Sequence, residues 1–467
     1  MKEFVDQVKT GNVNIINHIK KALNEAHELD QTHHFFTYIA DEQALEQAAK
    51  LQVKIDSNED IGPLAGVVVT VKDGICVQGM PSASSSKIIR DYRPLFDATA
   101  IKRLKDADAI VIGKTVQDEF GFGGFCTNCA DDLIPPKNAN DITRACGGSS
   151  GGAGGIARAF SIPHIAVGES TGGSIVNPAS FCGVVGLCPT YGRVSRYGLI
   201  DYANSLDKIG PLTKNVKDAA LAIQIMQGFD INDSTSSNKE DTYDLTKNPR
   251  GMTVGILSFK EKDIDPRIRE LVKQAQTTLE HCGIATKEVT LPLTEKHALA
   301  VYYLLALTEA STNLAKFCGL RYGSSLPLEG SYNEYFSKVR TQNFGEEAIR
   351  RILIGTFARM AGYRDAYYTK ASKIRTLIID EYKDAFRDVD VLVCPTMAII
   401  APKFEEIDQL SISQHYTIDQ LTTGPNLAGL PHISVPIGTA DNMPVGLTLI
   451  GKHFREQDIL LLGSVLE

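Results

Sequence analysis

No run of apolar residues in this sequence is long enough to cross a bilayer. Stretches such as Leu64 to Val71 and Val301 to Leu307 fall well short of the roughly 18 to 20 residues a membrane helix requires. Basic charge is in deficit: 48 Lys and Arg against 56 Asp and Glu give a net charge of −8, which excludes a broad cationic surface for non-specific nucleic-acid binding and leaves any RNA contact local or shared. Cysteine is sparse and odd in number, nine residues scattered from Cys76 to Cys394. That density builds no disulfide scaffold, so free thiols in a reducing compartment are expected, the cytoplasm by default and the mitochondrial matrix as the alternative. Cys126 and Cys129, in FCTNC, have metal-like or redox-like spacing, but no second pair completes a zinc site and a structural reading is favoured. The N-terminal stretch mixes both signs of charge and lacks the apolar segment and cleavage site of an export signal. No internal repeat is present.

What is present is enough apolar material for a large core: 467 residues, 43% hydrophobic, with 39 glycines, a length that suits about three average domains or one long α/β enzyme. The first 60 residues read as helical, with Ile15, Ile19, Ala22, Leu23 and Ala26 at helical spacing and Asp41 as the N-cap of a second stretch. From Leu64 a β-branched run, LAGVVVTVK, opens an alternation of short strands (109–113, 165–168, 254–257, 389–393) with helical stretches, so the fold class is α/β. Asp265 as N-cap and Pro266 at the first position open one helix; others are expected at 298–317, 346–358 and 364–386. The polar segment 230–250 reads as a surface connection between two lobes.

The segment 147–174, GGSSGGAGGIARAFSIPHIAVGESTGGS, holds two glycine-serine clusters around an apolar middle. Such glycine density suggests deliberately exposed backbone, and three chemistries could use it. A phosphate loop needs a Lys-Ser or Lys-Thr pair after its last glycine, and none follows. Gly147, Ser149 and Gly151 satisfy the Gly-x-Ser-x-Gly nucleophile elbow, but the preceding NANDITRAC looks like a loop, not the required strand, and none of His281, His297, His415, His432 and His453 has an informative context. The third chemistry is a serine activated without histidine. A lysine can be the base if it is made neutral, at a cost of about 4 to 5 kcal/mol in desolvation and charge repulsion. Lys72 closes the strand VVVTV and is delivered to the end of a buried strand, although position alone would more often leave it facing solvent.

The strings GVVVTVKDGI, GKTVQDEFGFGG, GGSSGG, STGGSIVNPASFCGVVGLCPTYGRVSRYGLI, EASTNLAKFCGLRYG, EEAIRRILIGTFA and NLAGLPHISVP resemble the amidase signature enzymes over nearly the whole chain, and within them the A-type glutaminase subunits of the tRNA-dependent amidotransferases. The resemblance implies one α/β/α fold over 61–467, a mixed β-sheet between layers of helices, in place of two lobes. It implies Lys72 as base, Ser149 as a bridging serine at a cis peptide, Ser174 as nucleophile, and Ser150 as a supporting residue. It further implies an oxyanion hole from the backbone N–H groups of Thr171, Gly172 and Gly173, with Arg351 and Asp419 holding the α-carboxylate and α-amino group of glutamine. Taken alone, Arg350 and Arg351 would be a solvated helix face. Ammonia would pass to a B-type subunit that uses ATP and magnesium on a mischarged tRNA, with a small C-type subunit bridging the two; this chain itself would carry no cofactor or metal and touch no membrane. The alternatives are a stand-alone amidase and a non-catalytic assembly subunit.

Several positions depart from that pattern. Ser170 stands where the family has aspartate and Val176 where it has arginine, a pair lost together. Val116 replaces an asparagine and Cys146 a proline. The interval from Ser149 to Ser174 is one residue longer, with the extra residue between Pro163 and Gly168, where a strand-end bulge would absorb it.

Overall fold

The alternation of β-branched runs with amphipathic stretches folds into a single 11-stranded mixed sheet flanked by helices. The computed structural model describes residues 1–260 and 263–467. In chain order the strands are β1 (Phe36–Ile39), β2 (Val68–Lys72), β3 (Ile110–Thr115), β4 (His164–Ser170), β5 (Val185–Cys188), β6 (Lys208–Thr213), β7 (Thr253–Leu257), β8 (Ala285–Val289), β9 (Val391–Pro395), β10 (His432–Ala440) and β11 (Met443–Gly451). They lie in the order β1-β3-β2-β4-β6-β5-β10-β11-β9-β7-β8. β2 runs parallel to β3 and β4, whereas β6 is antiparallel to β4. Every residue of β2, β3, β4 and β6 is buried. Burial on both faces explains why these strands read as continuous apolar runs instead of alternating patterns.

The helix Ile15–His33 buries the expected stripe, Ile15, Ile19, Ala22, Leu23 and Ala26, and its N-cap Asn14 accepts from the Asn17 amide. Asp265 caps Pro266–His281 by accepting from the Arg267 amide. Asp41 is the first helical residue of Asp41–Asp56, with Ala40 at the cap position. The first 60 residues are not wholly helical, because β1 pairs with β3 at the sheet edge. The segment 230–250 separates no lobes: β7 and β8 continue the same sheet through β9, and Asp230 accepts from the Thr99 and Ser195 hydroxyls, lacing the segment to the body.

No bulge forms in β4. Its register runs unbroken from Val68↔His164 to Val71↔Val167 on one side and from Ala166↔Leu212 to Ser170↔Lys208 on the other. The two largest apolar cores are one packed on the sheet and one among the helices Pro292–Asn313, Glu346–Arg359 and Lys370–Ala385. The glycine-serine turns lie where they meet.

Candidate active site

The chain entering the first glycine-serine cluster is irregular, with only isolated bridges at Arg144 and Ala145, so the strand that a nucleophile elbow requires is missing. The peptide between Gly148 and Ser149 is cis, and the buried helix Gly151–Ala159 follows. Exposed backbone is not what the glycines supply. A Cβ at Gly152 would stand 2.5 Å from the Phe35 carbonyl oxygen, and one at Gly155 would enter the Phe35 ring. The block lacks side chains because helix, sheet and aromatic pack too closely to admit them.

β2 carries Lys72 to this turn fully buried, so it does not face solvent. Its Nζ donates to Ser149 Oγ at 2.7 Å and to the Glu169 carbonyl at 3.1 Å. A third neighbour was not anticipated: Glu169 Oε2, at 2.7 Å. Three acceptors for three N–H bonds is the surrounding of an ammonium. The neutral amine expected from residue type took no account of this carboxylate. Ser150 sits beside the pair and donates to the Glu169 carbonyl at 3.1 Å.

Glu169 is the second-last residue of β4, and side chains alternate along a strand, so Glu169 and Thr171 project together while Ser170 turns away. The Thr171 hydroxyl lies 3.1 Å from Glu169 Oε1 and 2.7 Å from Asp207 Oδ1. Asp207 Oδ2 accepts from the Tyr202 and Ala203 amides. Burial, then the charge of Glu169, pushes the Asp207 carboxyl well above the usual range. The acid missing at Ser170 thus has a counterpart one residue earlier, on the opposite face of the strand. Ser170 and Val176 are both fully buried, where an aspartate or arginine without its partner would be costly.

Ser174 follows the strand in the turn before the helix Val176–Cys182 and is 7% exposed. Among the described residues no hydrogen bond joins it to Ser149. The Gly172 and Gly173 amides donate to no protein group among those residues and are free to serve an incoming oxygen. A Cβ at Gly172 would enter the Tyr302 ring, and one at Gly173 would meet the Thr422 side chain. Gly172→Ala is therefore expected to displace this turn and lower kcat/KM by about 10²-fold with little change in melting temperature, as a paired activity assay and thermal melt would show.

Arg351 is buried, not a solvated helix face. Its guanidinium donates to Glu347 Oε1 and to the Tyr202 hydroxyl, each at 2.7 Å, and stands near the Phe122, Tyr202, Tyr303 and Tyr416 rings. Arg350 takes the rim, paired with Glu346 and Glu347. Asp419 accepts from the Tyr303 hydroxyl at 2.6 Å, and burial pushes its carboxyl up to about 6. Arg351 and Asp419 thus share Tyr303, whose neighbour Tyr302 covers Gly172. The structure brings Lys72 and Ser149 together, and it gathers Arg351 and Asp419 around Tyr303, next to the Tyr302 that covers Gly172.

The sequence reading missed Glu169, Asp207, the aromatic walls and Asp118. Asp118 accepts from the Cys126 and Asn128 amides, which gives FCTNC a structural role, and the Cys126 and Cys129 sulfurs each donate to backbone carbonyls. Burial pushes both thiols up. No group of three His, Cys, Asp or Glu among the described residues could hold a metal ion. No helix among them is long and apolar enough to cross a membrane. None of the five candidate histidines bonds to a serine of the block; His432, for example, contacts the Leu430 carbonyl and Asn426.

The amidase family's sequence pattern matches residues 17–460. The A-type subunit of the glutamyl-tRNA(Gln) amidotransferase of Sulfurihydrogenibium sp. (strain YO3AOP1) is 40% identical over 464 residues, covering 98% of this chain and 95% of that protein. The crystal structure of the A-type subunit of the glutamyl-tRNA(Gln) amidotransferase from Thermotoga maritima superposes with a TM-score of 0.78 at 33% identity, covering 97% of this chain and 94% of that one. A structure from a vestigial protein complex, described as revealing the evolutionary origins of an s-triazine catabolic enzyme, superposes with a TM-score of 0.87 at 29% identity, covering 100% of this chain and 98% of that one.

Proposed function

Because this chain belongs to the amidase family, we propose that it is the glutamine-hydrolysing subunit of a tRNA-dependent amidotransferase, with Ser174 as nucleophile. The observation that carries this reading is that a buried guanidinium, Arg351, and a buried carboxylate, Asp419, face the same aromatic side chain, Tyr303, whose neighbour Tyr302 covers Gly172. A guanidinium fork suits the α-carboxylate of an amino acid and a carboxylate suits its ammonium. Full-length similarity to the A-type subunits of glutamyl-tRNA(Gln) amidotransferases supports it.

In this mechanism Arg351 and Asp419 hold the two α-substituents, so the side-chain amide reaches Ser174. Ser174 Oγ attacks the amide carbon while the Thr171, Gly172 and Gly173 amides stabilise the developing oxyanion. Ser149 relays the proton toward Lys72 and returns one to the departing ammonia. Water then hydrolyses the glutamyl ester. The ammonia is delivered to a B-type subunit, where ATP, magnesium and the mischarged tRNA belong, and a C-type subunit joins the two; the substrate is Glu-tRNA(Gln), Asp-tRNA(Asn) or both. The test is reconstitution of the chain with its B-type and C-type partners: Gln-tRNA or Asn-tRNA must form from glutamine, and formation of neither refutes the assignment.

Asp419 adds a pH prediction. Its ammonium-binding form is the carboxylate, and with the carboxyl raised to about 6 that form is lost as pH falls through that value. KM for glutamine is therefore expected to rise below about pH 6 with kcat less affected. Asp419→Asn should raise KM at every pH and flatten the rise, as initial-rate assays between about pH 5 and 8 would show.

A further inference from the structure

We propose that Glu169 is the terminal proton acceptor of the serine relay, so that Lys72 rests as an ammonium and becomes the base by passing a proton to Glu169. Four groups stand in series: Glu169 Oε2, Lys72 Nζ at 2.7 Å, Ser149 Oγ a further 2.7 Å on, and then the turn of Ser174. The Lys72 ammonium has a partner for each N–H. A base that begins fully protonated can accept the serine's proton only by giving one up at its other end, and Glu169 Oε2 is the acceptor in place there.

The step balances. Lys72 Nζ first passes the proton it shares with Glu169 to Oε2 and turns the freed lone pair to Ser149; as Ser174 Oγ bonds to the amide carbon, its proton passes to Ser149 Oγ and the proton of Ser149 passes to Lys72 Nζ. Ser149 is again a hydroxyl, Lys72 again an ammonium, Glu169 a carboxylic acid, and the negative charge rests on the tetrahedral oxyanion. Reversal of the same shifts protonates the departing amine. The Ser149 to Ser174 bond closes when substrate is bound, as relay contacts commonly do.

The far side of Glu169 fits this role. One Thr171 hydroxyl lies between Glu169 Oε1 and Asp207 Oδ1, and one hydroxyl carries a single proton. The second contact needs a proton from a carboxyl, and burial places it on Asp207. Asp207 then donates to Thr171, and Thr171 to Glu169, which remains the ionised member facing Lys72. The other ionisable groups packed around the pair are Asp118 and Cys126 beside Lys72, and Cys188 beside Glu169, with Lys208 against Cys188. Burial favours the neutral form of each.

The proposal rests on Ser174 as the nucleophile and not on glutamine as the substrate. The full-length protein is treated with a fluorophosphonate probe, and the rate of Ser174 modification is followed by mass spectrometry as a function of pH. Wild-type protein should be modified at a rate that levels off by about neutral pH, where a carboxylate is ionised. Glu169→Gln should slow modification at pH 7 by about 10²-fold or more, with a residual rate that climbs toward alkaline pH as the amine alone becomes the base. Glu169→Asp should recover part of the loss. Modification of Glu169→Gln within threefold of wild type, or a wild-type rate that itself keeps climbing into the alkaline range, overturns the proposal, as does absence of modification at Ser174. The wild-type profile decides the matter even if the variants fail to fold. Wild-type protein that reacts with the probe yet hydrolyses no glutamine refutes the substrate assignment and leaves the relay standing.

Discussion

Ser174→Ala is expected to lower glutamine hydrolysis by about 10⁴-fold or more while leaving the fold and the subunit interactions intact. Removing the nucleophile of a serine relay abolishes the covalent route, and the residue of activity that survives comes from oxyanion stabilisation and binding alone. The substitution deletes one oxygen from a residue that is 7% exposed and carries no hydrogen bond among the described residues, so neither a cavity of consequence nor an orphaned polar partner results. Melting temperature should stay within about 2 °C of wild type, and the variant should still assemble with its partner subunits. Loss of activity accompanied by loss of assembly would place Ser174 in the architecture. Undiminished hydrolysis would place the chemistry at another residue, and absence of hydrolysis in wild type and variant alike would support a purely assembly role for the chain.

Lys72→Met is expected to be costly twice over. Methionine is similar in length and lacks the charge, so Glu169, whose side chain is 5% exposed, is left without its cation. Breaking a buried ion pair from one side typically costs about 3 to 5 kcal/mol. Activity should fall by about 10³-fold or more because the relay is cut between Ser149 and Glu169. The double variant Lys72→Met/Glu169→Gln separates the effects: it should recover much of the stability, since no unpaired ion remains, and none of the activity. Denaturant unfolding with parallel rate measurements on the two single variants and the double variant supplies the cycle. Stability that is additive across the cycle would show that the two side chains are not coupled.

These expectations draw unequally on the sequence. β2 was legible because a run of valines ending in lysine is what a strand buried on both faces looks like, and its end is where Lys72 lies. Ser149 and Ser174 were legible as members of a glycine-serine block, although their roles came from family resemblance. Arg351 was not legible from its own helix, where Arg350 beside it looks equivalent. Its burial depends on Phe122, Tyr202, Tyr303 and Tyr416, which arrive from distant parts of the chain. Glu169 was hidden for a related reason: in ESTGGSIV the eye goes to the serine at 170, but strand alternation decides which of two adjacent residues faces Lys72. The surroundings of Lys72 were not legible, because residue type shows the cost of burying a cation and not the carboxylate that meets it across the sheet. The glycines misled in the opposite direction, since density alone does not distinguish backbone bared to a ligand from backbone pressed against Phe35.

The most direct test is to trap the acyl-enzyme. Protein reconstituted with its partners is mixed with isotopically labelled glutamine, quenched in acid within one turnover, digested and analysed by mass spectrometry. The label should be found as a glutamyl ester on the peptide bearing Ser174, and it should be absent in Ser174→Ala. Turnover of glutamine with Ser174 unmodified, or with the label carried on a cysteine, would contradict the assignment.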